Sequence, residues 1–235
     1  MMQYAILKIG APDTTVKRSR LEFFSEIKFN VGGYLYSLYE WEHGILRGNA
    51  KGSSCDGMMS TSVPFGRKDP RILFCVTNPD ARIHFAINHG TNSCLSIRLY
   101  SPTKIDEELT FATKSLFEKE SNLRFDDTKL ELHVSKIFTW YRSDFVNDAK
   151  LLPRWIFQYT HGSIQQQLDF LFANLNGGKI KVVDIAFDWS MKASWIYGIL
   201  SFELGSLKMS KGRAHVLIRT PKCSLSKNSG VRTEL

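Results

Sequence analysis

The sequence lacks an apolar run long enough to cross a membrane. Its longest run, WIYGILSFEL at residues 195–204, is about half of the roughly 20 residues that a membrane span requires. Gly198 and Glu203 also interrupt it. The N-terminal residues MMQYAILKIGAP lack the basic region of a signal peptide. We therefore expect no transmembrane segment and no secretion, and we predict a cytoplasmic protein.

Cysteine is scarce and scattered. The chain has four cysteines: Cys55, Cys75, Cys94 and Cys223. The lack of CxxC spacing argues against a disulfide framework and a four-thiolate zinc site. Glycine-rich phosphate motifs are also missing, because neither glycine pair, at residues 32–33 or 177–178, lies in a Walker or dinucleotide fingerprint. The sequence therefore predicts no cofactor and favours a reducing compartment.

The net charge of +8 is unevenly distributed. Seven of the 31 basic residues but only one of the 23 acidic residues lie from Gly205 onward. This segment has no aromatic residues and is rich in Ser and Lys, which is typical of a mobile tail. The rest of the chain is almost balanced in charge, unlike a groove that follows phosphates. We predict a domain over residues 1–204, a disordered basic tail over residues 205–235, and no specific nucleic-acid partner.

Hydrophobic patterns in the first third of the chain predict a hairpin, a short helix and a long loop. In residues 29–38, β-favouring side chains flank Gly32-Gly33, which predicts a two-residue turn. Ser37 has Glu40 three residues later, a capping box that predicts a helix to about Arg47. The Gly- and Ser-rich residues 48–70 predict a surface loop that could act as a lid.

The remaining patterns alternate between strand and helix. We predict a strand at 83–88, a helix at 103–120, a hairpin at 123–134, helices at 135–145 and 163–175, and a strand at 179–187. The sequence therefore predicts an α+β fold, a single globular domain in which helices pack on a small mixed or antiparallel sheet.

Chemistry-bearing side chains follow the predicted strand at 83–88. Cys94 is the best-placed thiol, because it comes after a cluster of small and polar residues at 88–93. A nucleophilic thiol needs a base and donors for the developing oxyanion. Backbone N–H groups of residues 90–93 are candidate donors. The candidate bases are His43, His84 and His89, and the candidate groups to orient the base are Glu42, Asn88 and Asp188.

Two alternatives to this chemistry stay open. Cys94 could be a small buried hydrophobe, and His43 could be structural. A zinc site could draw on His43, His84, His89 and Cys94. However, this spacing fits no helical pair, and positions 84 and 89 point to opposite faces of an extended strand. We therefore predict no metal.

Several blocks of sequence carry a family resemblance. They are GGYLYSLYEWEHGILRGN at 32–49, DPR at 69–71, DARIHFAINHGTNSCLSIRLYSP at 80–102, VSKIFTWYRSDF at 134–145 and KVVDIAFDWSMK at 181–192. Together they resemble the DUF547 domain, which occurs in plants, animals and bacteria, and the likeness covers about residues 5–192. The signature positions that it implies are His43, Arg47, Arg82, His84, Cys94 and Trp189.

The chain departs from the family pattern at two places. The family usually has a cysteine followed by Gly-Ala-Lys-Ser-Cys-Pro-Pro, whereas this chain has His89 at the first cysteine and Leu95-Ser96 at the prolines. Family members also begin with an asparagine-containing helix that would precede Met1, which suggests N-terminal truncation. A fold related to papain-like or transglutaminase-like proteins is a further expectation, prompted by the Cys and His content.

Two functions follow from the resemblance and from the residues. The first is a protein-interaction or scaffold module in signalling, because some relatives join the domain to coiled-coil, DEP or glutaredoxin segments. The candidate binding residues are Arg47, Arg82, Asn88, His89 and Asn92. In such a module Arg47 and Arg82 would satisfy buried carboxylates or carbonyls. The second is a cysteine hydrolase or transferase that acts on an amide or thioester, with Cys94 as nucleophile and His43 as base.

Overall fold

The computed structural model describes residues 12–13, 16–52, 63–126, 128–174 and 180–192. The predicted tail at 205–235 and residues 53–62 of the predicted lid lie outside these ranges. Helices surround two small sheets, so the predicted α+β class is confirmed. No helix within the described ranges has the length and apolar character needed to cross a membrane.

Seven α-helices lie in the described ranges: α1 (Lys17–Glu26), α2 (Ile83–Ala86), α3 (Ile105–Phe117), α4 (Ile137–Trp140), α5 (Arg142–Phe145), α6 (Leu152–Phe157) and α7 (Gly162–Asn174). A π-helical segment at Glu40–Leu46, hereafter the π-helix, and 3₁₀ turns at Pro70–Phe74 and Ala149–Leu151 complete the helical structure. The strands are β1 (Lys28–Val31), β2 (Tyr34–Ser37), β3 (Leu123–Asp126), β4 (Glu131–Ser135) and β5 (Lys181–Ile185).

The N-terminal hairpin and its cap form as the sequence predicts. Strands β1 and β2 pair antiparallel across Gly32 and Gly33, which have φ angles of +62° and +89°, in the left-handed region that favours glycine. Ser37 and Glu40 then exchange hydrogen bonds of 2.8 and 3.0 Å between backbone N–H and side-chain oxygen. This reciprocal pair caps the start of the π-helix, and the π-helix carries residues 42 and 43.

The larger sheet is mixed and supports the main core. Strand β4 lies between β3, which is antiparallel to it, and β5, which is parallel. Leu132 and Val134 of β4 are fully buried and pack with Phe138 and Ile156 in the main hydrophobic cluster. The parallel pairing requires a crossover between β4 and β5, and helices α4 to α7 form it. The predicted hairpin at 123–134 and strand at 179–187 are therefore confirmed.

The predicted helix at 103–120 is confirmed as α3. Leu109, Ala112 and Leu116 are buried as its periodicity indicates, whereas Ile105 at its first position is 43% exposed. Asp106, Glu107 and Glu108 form its first turn, where negative charge stabilises a helix through its dipole. This helix forms one wall of the core against α2.

The predicted strand at 83–88 is wrong, because residues 83–86 form the helical turn α2. The Asp80 carboxylate accepts a 2.9 Å hydrogen bond from the backbone N–H of Arg82, just before this turn begins. His84 and Phe85 are consecutive and both buried, as a helical turn permits and a two-faced strand does not. The argument that positions 84 and 89 face opposite ways therefore does not apply.

Candidate active site

A cavity of about 520 Å³ lies beside Cys94. Its volume falls in the range of about 300–1,000 Å³ that small-molecule sites occupy. Most of its lining is aromatic or aliphatic, from α1, the π-helix, α2 and the segment after β5. The polar groups that reach it include Glu42, His43, His84, His89 and Cys94. A cavity with these few convergent polar groups has the composition of a ligand site.

The loop that carries Cys94 is tied to the segment after β5. Thr91 pairs with Met191 in an isolated antiparallel bridge, and the backbone N–H of Asn92 donates to Ser190 O at 2.9 Å. Lys192 Nζ donates to the carbonyl oxygens of Cys94 and Leu95. These bonds fix the loop to the segment after β5, although about a hundred residues separate the two in the sequence.

A tight turn at Gly90 directs the loop back over the thiol. Gly90 has a φ angle of +75°, and its N–H donates to the Asn88 side chain at 2.7 Å. Asn88 Nδ2 donates to Leu95 O, so this side chain bridges the two ends of the loop. The turn brings residues 89 and 94 together, although they were predicted to follow an extended strand.

Three groups of the loop contact the Cys94 sulfur. The His89 backbone N–H lies 3.4 Å from Sγ, Thr91 Oγ1 lies 3.2 Å from it, and His89 Nδ1 lies 4.0 Å from it. Cys94 is 6% exposed and Thr91 is fully buried. A buried sulfur with several donors around it is a favourable place for a thiolate.

The other ring nitrogen of His89, Nε2, contacts Glu42. His89 Nε2 lies 3.1 Å from Glu42 Oε2, and the Tyr141 hydroxyl donates to Glu42 Oε1 at 2.6 Å. Phe24 meets the ring edge-on at 5.5 Å, and Trp189 lies 6.3 Å away. The carboxylate therefore fixes the orientation of the imidazole, and Nδ1 points towards the thiol. Hereafter Cys94, His89 and Glu42 are called the thiol cluster.

The thiol cluster separates charge at neutral pH. Burial alone would raise the pKa of the Cys94 thiol, but its contacts with His89 outweigh burial and lower this pKa to about 7. Burial would lower the pKa of His89, but Cys94 and Glu42 raise it to about 10. Burial would raise the pKa of Glu42, but His43 and His89 hold it well below its ordinary value. A thiolate and an imidazolium are therefore stabilised side by side.

The other predicted bases, His43 and His84, have different partners. His43 Nδ1 accepts a hydrogen bond from Arg47 Nη1 at 2.8 Å, and His84 Nε2 donates to Asp144 Oδ2 at 2.9 Å. Arg47 also forms a two-pronged pair with Asp144, at 2.6 and 2.8 Å. Burial is the main influence on both rings and lowers the pKa of each. His89, and not His43 or His84, is the imidazole that contacts the Cys94 sulfur.

The remaining predicted polar residues lie at three places. Arg82 pairs with Asp80 and Asp106, at 2.5 and 2.6 Å, and is not part of the cavity lining. Asn88 lines the cavity, whereas Asn92 is exposed and donates to Asp188 at 3.1 Å. The predicted binding set is therefore distributed over an ion-pair cluster, the cavity and the exposed edge of the loop.

The backbone N–H groups predicted as oxyanion donors mostly have other acceptors. Those of Gly90, Asn92 and Ser93 donate to Asn88, Ser190 and Asp188 respectively.

The residues considered for a zinc site are not the ones that lie close enough together to share an ion. In the described part of the chain, one group of three potential ligands lies within reach of a single ion, and it is at another place in the fold. Its members are Asp126, Glu131 and His133.

Sequence reasoning missed Tyr141 and Asp144, and it placed Glu42 only among three alternatives. Tyr141 stacks on His84 with ring centroids 3.8 Å apart and also holds Glu42. Both missed residues lie in the block WYRSDF at 140–145, which was interpreted as a helix without chemistry. The block also contains Arg142 and Ser143, so its polarity did not single out these two side chains.

Comparison with known proteins gives one match. A model of the family described as "Protein of unknown function, DUF547" matches residues 1–116. No curated protein and no solved structure matches the chain. The matched part includes His43, His84, His89 and Cys94, while Tyr141 and Asp144 lie beyond it. Over residues 1–116, just under half of the 235-residue chain, the sequence therefore matches the DUF547 family.

Proposed function

We propose that this domain is a cysteine-dependent acyl-transfer enzyme that cleaves an amide or a thioester. The observation that carries the proposal is the thiol cluster, in which His89 Nδ1 lies 4.0 Å from Cys94 Sγ and His89 Nε2 lies 3.1 Å from Glu42. A nucleophile, a base and a group that orients the base are the parts that thiol catalysis uses. In this proposal His89 replaces His43 as the base.

The first chemical step forms a thioester on the protein. The Cys94 thiolate attacks the acyl carbon, an S–C bond forms, and the carbonyl π electrons move to oxygen. When the tetrahedral intermediate collapses, the bond to the amine or thiol breaks, and His89 gives its proton to that leaving group. His89 is then neutral and able to accept a proton.

The second step releases the acyl group. A water molecule, or an acceptor amine or thiol, loses a proton to His89 as it attacks the thioester carbon. The S–C bond breaks, and the thiolate and imidazolium pair forms again. The aromatic side chains Phe24, Trp140 and Trp189 beside the cluster would limit access of bulk water, which strengthens the electrostatic interactions of the site.

Alkylation by iodoacetamide at pH 6 tests the reactive thiol. A pKa of about 7, against an ordinary value of 9.0, gives about 100 times more thiolate at this pH. Because a thiolate of lower pKa is a weaker nucleophile, we expect Cys94 to react about tenfold faster than free cysteine. Peptide mass spectrometry measures the rate at each cysteine, and Cys75 is an internal control because burial raises its pKa.

A matched variant separates activation from access to the cavity. His89→Gln keeps a polar side chain but removes the imidazole, so alkylation of Cys94 at pH 6 should slow at least tenfold. A Cys94 that reacts no faster than free cysteine, and equally fast in His89→Gln, would contradict the proposal.

An interaction role stays a second proposal, and one surface feature favours it. Leu35, Leu73 and Phe74 are 55%, 86% and 55% exposed. They lie together, because Arg71 Nη1 donates to Leu35 O and the Phe74 ring lies 5.6 Å from Tyr34. Contiguous exposed apolar side chains of this kind are typical of protein contacts. Cys94→Ser separates the two roles, because it removes the nucleophile and leaves this surface intact.

A further inference from the structure

Three buried polar atoms in the described part of the chain have no hydrogen-bond partner: Tyr39 Oη, Arg98 Nε and His133 Nε2. Two of these residues, Tyr39 and Arg98, line the cavity beside Cys94. Leaving a buried donor unsatisfied destabilises the folded state, so most buried donors in folded proteins have an acceptor. Two such donors around one cavity indicate that a ligand supplies the acceptors.

The charge of Arg98 indicates which chemical class of ligand fits the cavity. No carboxylate among the described residues forms an ion pair with Arg98. Its guanidinium packs over the Phe111 ring at 4.4 Å, and Nη2 makes one long bond of 3.4 Å to Ser115 Oγ. By contrast, Arg47 and Arg82 are each paired with Asp residues. A cavity-lining arginine without a carboxylate is suited to bind an anion.

The ionised groups of the thiol cluster do not serve these two donors. Glu42 accepts from His89 and Tyr141, and the hydrogen bonds around Cys94 Sγ come from Thr91 and His89. The rest of the lining is mainly apolar and includes Trp41, Leu46, Ile97, Trp140, Phe187 and Trp189. The cavity thus combines an apolar volume of about 520 Å³ with two buried donors that lack acceptors, Arg98 Nε and the Tyr39 hydroxyl.

We infer that the cavity binds an amphipathic anion. Its apolar part fills the aromatic and aliphatic volume, and its carboxylate or phosphate oxygens accept hydrogen bonds from Arg98 and Tyr39. If the proposed acyl-transfer function holds, the anionic group belongs to the substrate and lies away from the acyl carbon that Cys94 attacks. The inference concerns binding, so it is tested without chemistry.

The test measures binding of matched probes to the full chain with Cys94→Ala, which prevents turnover. Octanoate and octanamide have the same apolar part but differ in charge, and octyl phosphate distinguishes a carboxylate site from a phosphate site. Isothermal titration calorimetry should show at least one of the two anions binding about tenfold tighter than octanamide, because hydrogen bonds to a charged group are the stronger ones. The tighter anion identifies the oxygen group that the site prefers.

Two variants assign this preference to the named donors. Arg98→Gln should bring the affinity of the preferred anion to within about twofold of octanamide, which itself should bind unchanged. The matched control Arg124→Gln removes the same charge from an exposed residue outside the cavity lining and should leave both affinities unchanged.

Tyr39→Phe tests the second donor, because it should lower anion affinity without lowering stability. It removes a hydroxyl that has no partner in the free protein, so the thermal midpoint should stay constant or rise while anion affinity falls about threefold or more. A loss of stability in Tyr39→Phe would show that the hydroxyl has a structural partner and would overturn its role.

Equal affinity for all three probes, or an anion preference that survives Arg98→Gln, would overturn the inference. The proposed function fails separately, through the alkylation of Cys94, so the outcome of each test is independent of the other.

Discussion

A single position, residue 89, decides the chemistry of the candidate site. The DUF547 pattern that the sequence resembles usually has a cysteine there, whereas this chain has a histidine. The structure gives His89 a direct contact with Cys94 and a second contact with Glu42. This chain therefore pairs the Cys94 thiol with an imidazole at the position where the family pattern that it resembles has a cysteine.

The thiolate titration of Cys94 should depend on His89. The ultraviolet absorbance of the thiolate, taken as the difference between the wild-type chain and Cys94→Ser, should rise with a midpoint of about pH 7. In His89→Gln the stabilising imidazolium is gone and burial remains, so the midpoint should move to about pH 9 or above. His161→Gln removes an exposed histidine and should leave the midpoint unchanged. A midpoint that does not move in His89→Gln would contradict the paired thiol.

At the scale of elements, one carboxylate holds three of them together. Asp144 of α5 bonds to Arg47, at the end of the π-helix, and to His84 of α2. Arg47 is 4% exposed at its side chain and Asp144 is 17% exposed. Removing one partner of a buried pair leaves the other charge without compensation. The joint between these elements therefore depends on Asp144.

Asp144→Asn should lower the free energy of unfolding by about 3 kcal/mol, measured by urea denaturation at neutral pH. Burial would raise the pKa of Asp144, but Arg47 and His84 lower it below its ordinary value of 3.8. A carboxylate whose pKa is lowered on folding stabilises the fold at pH values above its pKa in the unfolded state. This stabilisation is lost as the pH falls below about 4. The variant should therefore lose less stability than wild type on acidification.

Asp169→Asn is the control for this substitution, because Asp169 is an exposed residue of α7. Its free energy of unfolding should stay within about 0.5 kcal/mol of wild type. An Asp144→Asn variant as stable as this control would show that the ion pair contributes nothing to the fold.

The elements that sequence predicts correctly are those with strong local signals. Gly32-Gly33 fixes the hairpin, and Ser37 with Glu40 fixes the start of the π-helix. Residues 83–88 were assigned wrongly because six residues of mixed polarity fit either period, and the Asp80 contact that starts the helical turn is not a periodic signal.

The candidate site could be predicted only in part for a related reason. Cys94, His89 and Glu42 were all named as candidates, but their pairing depends on how the chain folds. His89 meets Glu42 across 47 positions of sequence and Tyr141 meets Glu42 across 99. Local pattern carries no information on contacts at such separations. The thiol cluster therefore required the structure.

At the scale of the whole molecule, the family match ends before the fold does. Residues 1–116 stop within α3 (Ile105–Phe117) and exclude the three-stranded sheet. They also exclude Phe138 and Ile156, which are fully buried in the main core. The matched part includes the candidate nucleophile but lacks most of the core that supports it.

A fragment of residues 1–116 should therefore not fold alone. Without α4 to α7 and the larger sheet, the apolar faces of α2 and α3 have nothing to bury against. Circular dichroism should show no cooperative thermal transition for the fragment, whereas residues 1–192 should show one. A cooperative transition in the fragment would mean that the matched part is an independent unit and that the cavity lies between two units.

The contact between Lys192 and the carbonyl oxygens of Cys94 and Leu95 has a consequence for the order of events during synthesis. A ribosome makes about 5–20 residues each second. Roughly a hundred residues lie between Cys94 and the segment that fixes its loop, so that segment is synthesised several seconds after the thiol. Until residues 188–192 have emerged and docked, the loop lacks its bridge to Met191. Under the proposed function, the nascent chain therefore carries an ordinary thiol, and the reactivity proposed for Cys94 arises only after residues 188–192 have docked.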